Sequence, residues 1–198
     1  MVPAGYLYKK ITPVEEWITP DTPQELRAPQ VREVASVSGC IAYHHDVFEP
    51  SYFYGDNTMM ALCPEQYAEA AREDGLAFDL AGYALYYYTM YEYEFDEETG
   101  ERTALPPERL PRGVREPDPA LLERATLLGF DAAVYQDNVW PVGCSPLSCN
   151  YMAAEVSVNE WCLFPSLDAA VACLESKGFL HCEPGPYRIF GVYLLERC

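Results

Sequence analysis

The chain has 198 residues, a length that suits one domain, and its 31 acidic against 13 basic residues give a formal net charge of −18. That charge disfavours direct binding to nucleic acid, because neutralisation of phosphates supplies most of the affinity for it. It disfavours binding to anionic membranes for the same electrostatic reason. A hydrophobic fraction of 49% with 14% aromatic residues excludes a disordered chain and predicts a globular fold.

The N-terminus and the hydropathy pattern predict a cytoplasmic protein. Lys9 and Lys10 are not followed by the apolar run of a secretory signal. The longest apolar stretch, residues 83–91, is far shorter than the roughly 20 residues that span a bilayer. The eight cysteines are scattered rather than grouped as a disulfide framework, so we expect reduced thiols.

The first half of the chain predicts three strands and one helix. β-Branched and aromatic residues favour strands at residues 6–11, 31–37 and 83–95. The third strand becomes acidic on one face partway along, which indicates burial on both sides at first and exposure later. A proline at the first position and a glycine after the last residue are typical of a helix over residues 64–74. The prolines of residues 12–29 predict a loop that crosses the surface.

The second half predicts more helices and strands, separated by a second proline-rich surface crossing near residues 106–119. The predicted elements are a helix at 119–128 with Asp118 as its N-cap, a strand at 130–135, an extended segment at 156–164, a helix from Ser166 to Gly178, and a strand at 187–195. Helices and strands alternate without a strict βαβ repeat. We therefore predict a single α+β domain over residues 1–198, a mostly antiparallel sheet with about three helices packed on it.

The loop Gly143–Asn150 is the first candidate site, because small, polar and thiol side chains sit together between two predicted strands. Cys144 or Cys149 could act as a nucleophile, with Ser145, Ser148 and Asn150 binding a ligand. Either thiol would need a base, and the chain offers only three imidazoles, His44, His45 and His181. The alternative is a tight turn in which the serines and asparagine satisfy backbone groups and the thiols fill the core.

Metal binding and cofactor binding are not expected. The cysteines at 144, 149, 162, 173 and 182 are separated by 4, 12, 10 and 8 residues, whereas structural zinc sites usually have a closely spaced ligand pair. His44 and His45 are adjacent, and adjacent side chains of an extended segment point in opposite directions. The sequence contains no phosphate-binding glycine loop, dinucleotide fingerprint, GxSxG or HExxH motif.

A second candidate site is the acidic, tyrosine-rich end of the strand at 83–95. Tyr91, Glu92, Tyr93 and Glu94 combine aromatic anchors with carboxylates, and more acids follow in the turn at 96–101. Such a surface could bind a basic groove of another protein. The alternative is a solvated hairpin tip that keeps a sheet edge from aggregating.

Several motifs resemble those of a set of bacterial cytosolic proteins of unassigned activity. They are Val31–Glu33, Ser36–Ile41, Leu128–Asp131, Cys144–Asn150, Val158–Asn159, Cys162–Leu163 and Glu183–Tyr187. The resemblance implies a bacterial cytosolic setting and supplies no catalytic residues.

The leading functional hypothesis is a non-enzymatic, acidic interaction protein of the inhibitor or immunity type, which binds a basic protein partner. The first alternative is a small enzyme or ligand-binding domain with its site around Cys144–Asn150, with His181 as a possible base. The second alternative is a nucleic-acid mimic, whose carboxylates would lie in rows at phosphate-like separations.

Overall fold

The computed structural model describes residues 1–38, 60–73, 80–135 and 143–197. Within them, five strands form one antiparallel sheet in the order β1-β2-β5-β4, and β3 pairs with the far end of β2. The strands are β1 (Val2–Lys10), β2 (Tyr83–Phe95), β3 (Arg102–Ala104), β4 (Thr126–Val134) and β5 (Tyr187–Arg197). This sheet, with the helices that pack around it, confirms the predicted α+β fold.

Most helices of the described residues are short. The α-helices are α1 (Val14–Trp17), α2 (Glu65–Glu73), α3 (Pro119–Leu122), α4 (Pro146–Cys149) and α5 (Leu167–Glu175), and 3-10 helices lie at Gln24–Leu26, Pro107–Arg109 and Met152–Ala154. Only α2 and α5 are longer than about one turn. No helix in the described part of the chain is long and apolar enough to cross a membrane.

The structure corrects two predicted elements. The helix expected over residues 119–128 has the predicted cap, since the Asp118 carboxylate accepts from the Ala120 N–H at 2.8 Å, but it ends at Leu122. Thr126 already pairs with β5, so sheet pairing replaces the last turns of that helix. Residues 31–37 do not form a strand: apart from an isolated bridge between Pro13 and Glu33, their backbone groups bond to loop residues and to the side chains of Lys9 and Asp131 rather than to a neighbouring strand.

Both faces of the sheet are covered. Ala84, Tyr86, Tyr88 and Met90 of β2 alternate into one core, while Leu85 and Tyr87 belong to another. The residues from Tyr91 to Glu94 are half-buried. The strand therefore loses full burial over residues 91–94, but it does not emerge into solvent as predicted, because Phe95 at its end is fully buried.

The segment 31–38 crosses the face that carries Tyr86, Tyr88 and Met90, and it connects the two outer strands of the sheet. Its Val37 packs in that core. Lys9 of β1 reaches its carbonyl groups from one side, and Asp131 of β4 binds it from the other. The crossing therefore brings together polar residues that the strand order keeps apart.

Candidate functional site

Buried polar side chains cluster where the segment 31–38 meets β4 and α4. Each is at most 3% exposed, although the surrounding core is apolar. Buried polar groups in such number are retained only when they are hydrogen-bonded to one another. We call this cluster the Asp131 network; its members are Lys9, Ser36, Ser38, Asp131, Ser145 and Ser148.

The Asp131 carboxylate is the centre of the network. Oδ2 accepts from Ser36 Oγ and from the Val37 N–H, both at 2.8 Å. Oδ1 accepts from Ser145 Oγ at 2.6 Å and from the Ala132 N–H at 2.9 Å. Complete burial nevertheless raises the pKa of Asp131, and these donors, with the Lys9 ammonium, offset that effect only in part.

Lys9 stabilises the crossing segment from the opposite edge of the sheet. Its ammonium group donates to the carbonyl oxygens of Ser36 at 2.5 Å and Ser38 at 2.7 Å. The charge is buried, and the negative Asp131 lies close enough for each group to affect the other. The two ionisable residues thus hold the same short stretch of backbone from both sides.

A chain of hydroxyl groups connects Asp131 to Cys149. Ser36 Oγ donates to Asp131, and Ser148 Oγ donates to Ser36 Oγ at 3.1 Å. The Cys149 sulfur lies 3.8 Å from Ser148 Oγ and 3.3 Å from Ser38 Oγ. Cys149 is half-buried, so the chain leads from a carboxylate without solvent contact to a thiol near the surface.

The helix α4 places Ser148 and Cys149 against the network. Trp17 of α1 donates from Nε1 to the Ser148 carbonyl at 3.0 Å, and its ring stacks on Tyr151 at 5.6 Å. The Cys162 thiol contacts the Leu147 carbonyl at 3.8 Å. The loop predicted as a candidate site is thus held firmly on several sides.

The structure brings together only some of the residues predicted in this loop. Ser145, Ser148 and Cys149 meet in the Asp131 network, while the Cys144 carbonyl accepts from the Val134 N–H at 3.1 Å. The Asn150 side-chain oxygen is buried and has no hydrogen-bond partner among the described residues.

His181 lies in a separate groove. The groove has a volume of about 420 Å³, and no residue of the loop 143–150 lines it. His181 therefore does not line the same site as Cys144 or Cys149. His44 and His45 lie outside the described residues. We call the groove that contains His181 the acidic groove; its lining residues are Glu97, Glu98, Leu180, His181, Cys182, Glu183 and Pro184.

The turn that carries Glu97 and Glu98 is well ordered by its own hydrogen bonds. Asp96 Oδ1 accepts from the Glu98 N–H at 3.1 Å, the Thr99 N–H at 2.7 Å and the Thr99 hydroxyl at 2.8 Å, and these donors lower the pKa of Asp96. Gly100 has φ +71°, and a Cβ there would lie 2.6 Å from the Glu175 carbonyl oxygen. The turn is thus packed against the end of α5.

The predicted surface on β2 divides into aromatic and paired acidic residues. The rings of Tyr91 and Tyr93 lie 4.9 Å apart, and the Arg102 guanidinium lies 5.2 Å from the Tyr93 ring centre. Glu92 pairs with the N-terminal ammonium at 3.0 Å. Glu94 pairs with Arg109 at 2.8 Å and with Arg188 at 3.6 Å. The chain itself therefore compensates both carboxylates.

Sequence reasoning singled out neither Asp131 nor Lys9. For Asp131 one signal was available: it is the single charged residue of a strand whose pattern predicts burial, and a buried charge requires partners. Lys9 is followed by the exposed Lys10, so its burial has no such signal. No three His, Cys, Asp or Glu side chains of the described residues converge as metal ligands.

Comparisons with models of protein families, with curated proteins and with solved structures find no match to this chain.

Proposed function

We propose that this protein binds a basic protein partner through the acidic groove. The observation that carries the proposal is that three acidic residues, Glu97, Glu98 and Glu183, line one groove. None of the three forms an ion pair with a described residue, in contrast to Glu92 and Glu94. A Lys or Arg side chain of a partner would supply the missing positive charge.

The groove also offers an apolar contact. Leu180 is 40% exposed, and it lines the groove beside His181. His181 has φ +74°, a left-handed conformation that is uncommon for residues other than glycine and that concentrates at functional sites. A partner segment with a basic residue next to an apolar residue fits these features best.

The rigidity of the turn favours binding over a purely protective role. Side-chain hydrogen bonds to Asp96 and the contact of Gly100 with α5 fix the positions of Glu97 and Glu98 before any partner arrives. Pre-ordered charges lose less conformational entropy on binding than mobile ones do. Tyr91 and Tyr93, on the strand that leads into this turn, extend the surface with aromatic contacts.

The experiment compares two variants with the same net charge. One carries Glu97→Gln, Glu98→Gln and Glu183→Gln in the groove. The control carries Glu15→Gln, Glu25→Gln and Glu123→Gln, which replace exposed acids elsewhere. Binding of a fluorescein-labelled peptide rich in lysine and leucine is measured by anisotropy at low and moderate salt.

We expect the groove variant to bind the peptide about tenfold more weakly and the control to bind within about twofold of the wild type, since three rim charges contribute about 0.5 kcal/mol each. Equal losses in both variants would mean that the peptide responds only to net charge, and the proposal would then be wrong. The nucleic-acid mimic would be favoured instead if the protein displaced nucleic acid from a nucleic-acid-binding protein and the groove variant displaced it equally well.

A second candidate function, a small thiol enzyme or ligand-binding domain around Cys144–Asn150, is favoured by one observation. The hydroxyl chain from Asp131 to Cys149 provides hydrogen-bonding contacts to a half-buried thiol. His181 has no part in this candidate, because it lines the acidic groove.

A further inference from the structure

We propose that Cys149 is a nucleophilic thiol that reacts with carbon electrophiles and that Asp131 receives its proton through Ser148 and Ser36. The site is independent of the acidic groove and of any basic partner. It deepens the second candidate function, because it assigns the base that a thiol enzyme would need.

The hydroxyl groups are ordered in the direction that the transfer requires. Ser36 Oγ donates to Asp131 Oδ2 at 2.8 Å, and Ser148 Oγ donates to Ser36 Oγ at 3.1 Å. The Cys149 sulfur is 3.8 Å from Ser148 Oγ, a distance suited to a weak hydrogen bond from a thiol. Ser148 thus donates to Ser36 and Ser36 to Asp131, while either atom of the Ser148–Cys149 contact could be the donor; the transfer uses the arrangement in which the thiol donates.

The step balances. The Cys149 proton passes to Ser148 Oγ, the Ser148 proton to Ser36 Oγ, and the Ser36 proton to Asp131, which becomes a neutral carboxylic acid. The sulfur then forms a bond to the carbon of the electrophile, and the bond from that carbon to its leaving group breaks with the electron pair. The leaving group departs as an anion, and the Asp131 proton returns through Ser36 and Ser148 toward the surface, where it passes to solvent.

The environment favours this movement of charge. Asp131 is fully buried, so ionisation there lacks solvation by water, while Cys149 is half-buried. The transfer moves the negative charge from the buried carboxylate to the more accessible sulfur, where the Ser38 hydroxyl at 3.3 Å can donate to it.

Other titratable groups face the same region and have to be considered in a pH profile. Lys9 approaches from β1, Tyr88 from β2, and Cys162 from the loop before α5. Burial raises the pKa of Cys162 well above the usual thiol value and that of Tyr88 well above the usual phenol value, so neither ionises near neutral pH.

Two buried polar atoms near the network lack a hydrogen-bond partner among the described residues. The Tyr88 side chain is fully buried and lies within electrostatic range of Asp131, and no described residue forms a hydrogen bond with its hydroxyl. Next to Cys149, the buried Asn150 side-chain oxygen also lacks a partner. Orphaned polar groups of this kind carry a desolvation cost that a bound polar molecule would relieve.

The test uses iodoacetamide as the electrophile, with mass spectrometry to locate alkylation on the intact protein across mildly acidic to alkaline pH. Cys144 is the internal reference, because it is half-buried in the same loop. The variants are Asp131→Asn, which removes the base, and Ser148→Ala, which interrupts the chain. The control is Ser176→Ala, whose hydroxyl contacts only its own helix end at the Cys173 carbonyl.

We expect Cys149 to react about tenfold faster than Cys144 near pH 6.5 and Ser148→Ala to remove that difference, whereas Ser176→Ala leaves it unchanged. The pH at which the Cys149 rate rises should also move to higher values in both network variants. A purely structural serine would not shift that profile in a variant with native circular dichroism.

Wild-type Cys149 that reacts no faster than Cys144 would overturn the proposal, as would an unchanged pH profile in a folded Ser148→Ala variant. If a variant does not fold, the wild-type rate ratio decides whether Cys149 is a reactive nucleophile, and Ser36→Ala, which interrupts the same chain at its other hydroxyl, tests the route to Asp131. The peptide-binding experiment on the acidic groove is unaffected by either outcome, so failure of one proposal is distinguishable from failure of the other.

Discussion

Replacing Asp131 by alanine should destabilise the protein strongly. The carboxylate accepts hydrogen bonds from Ser36 Oγ, the Val37 N–H and Ser145 Oγ, which belong to two other segments of the chain. The serine hydroxyls can rotate toward other acceptors, but the Val37 N–H cannot. Its loss of a partner costs about 1–3 kcal/mol.

Lys9 adds to this cost, because its buried ammonium loses the nearby negative charge. The effect is smaller than the loss of an ion-pair partner, because the Lys9 ammonium donates to the Ser36 and Ser38 carbonyls and keeps those hydrogen bonds. The two effects involve the same network and are not additive. We therefore expect a loss of about 2–4 kcal/mol, a large part of the roughly 5–15 kcal/mol by which folded domains are stable.

The assay is urea unfolding near pH 7, followed by circular dichroism, with Asp21→Ala as an exposed control that should change stability by less than about 0.5 kcal/mol. The denaturant dependence should stay the same in all variants. A loss below about 1 kcal/mol for Asp131→Ala, with unchanged denaturant dependence, would refute the reasoning, since the network would then re-form without its central acceptor.

The pH dependence of the free energy of unfolding provides a second measure of the contribution of Asp131. Burial raises the pKa of Asp131 in the folded state above its ordinary value of 3.8. Between these two pKa values the folded state binds more protons than the unfolded state, so the contribution of Asp131 to stability is complete below 3.8 and is lost as the pH rises through the folded-state pKa. Asp131→Asn should abolish this part of the pH profile.

Three further predictions concern the acidic turn and the thiols. Gly100→Ala should destabilise the protein by about 1–3 kcal/mol in thermal unfolding, because its Cβ would meet the Glu175 carbonyl, whereas Gly82→Ala, with φ +82° but open space, should cost only about 1 kcal/mol. The pKa of the Asp96 carboxyl, measured by NMR, should lie below 3.8, and the turn should lose order as the pH falls through that lowered pKa. A pKa of 3.8 would contradict the three hydrogen bonds that this carboxylate accepts. Burial raises the pKa of Cys173 to about 11, so iodoacetamide should label it slowly at mildly alkaline pH, and rapid labelling there would contradict its burial.

Elements with local signals were predicted close to their observed bounds. Ser166 caps α5 with a hydrogen bond to the Ala169 N–H at 3.1 Å, and α2 lies within the predicted residues 64–74. Strand β2 spans the predicted residues 83–95. Capping residues and alternating side chains act over a few positions, so the sequence alone determines these features.

The start of β4 and the course of residues 31–38 depended on tertiary contacts. Thr126 favours a strand because β5 is available as a partner, and the segment 31–38 bonds to loops near Thr12 and Glu160 instead of joining the sheet. Local propensity cannot report these partners, since they are distant in the sequence.

For the candidate sites as well, the sequence determined some features and the tertiary structure determined the others. The sequence alone determined the strong negative charge, the acidic turn after β2, and a loop with two serines and two cysteines. Only the tertiary structure decided that Ser36 lies beside Asp131, 95 residues away, and beside Ser148, 112 residues away. It also placed His181 in the acidic groove, away from the loop 143–150. Hydrogen bonds and desolvation act over a few ångströms, and folding sets which distant residues come that close.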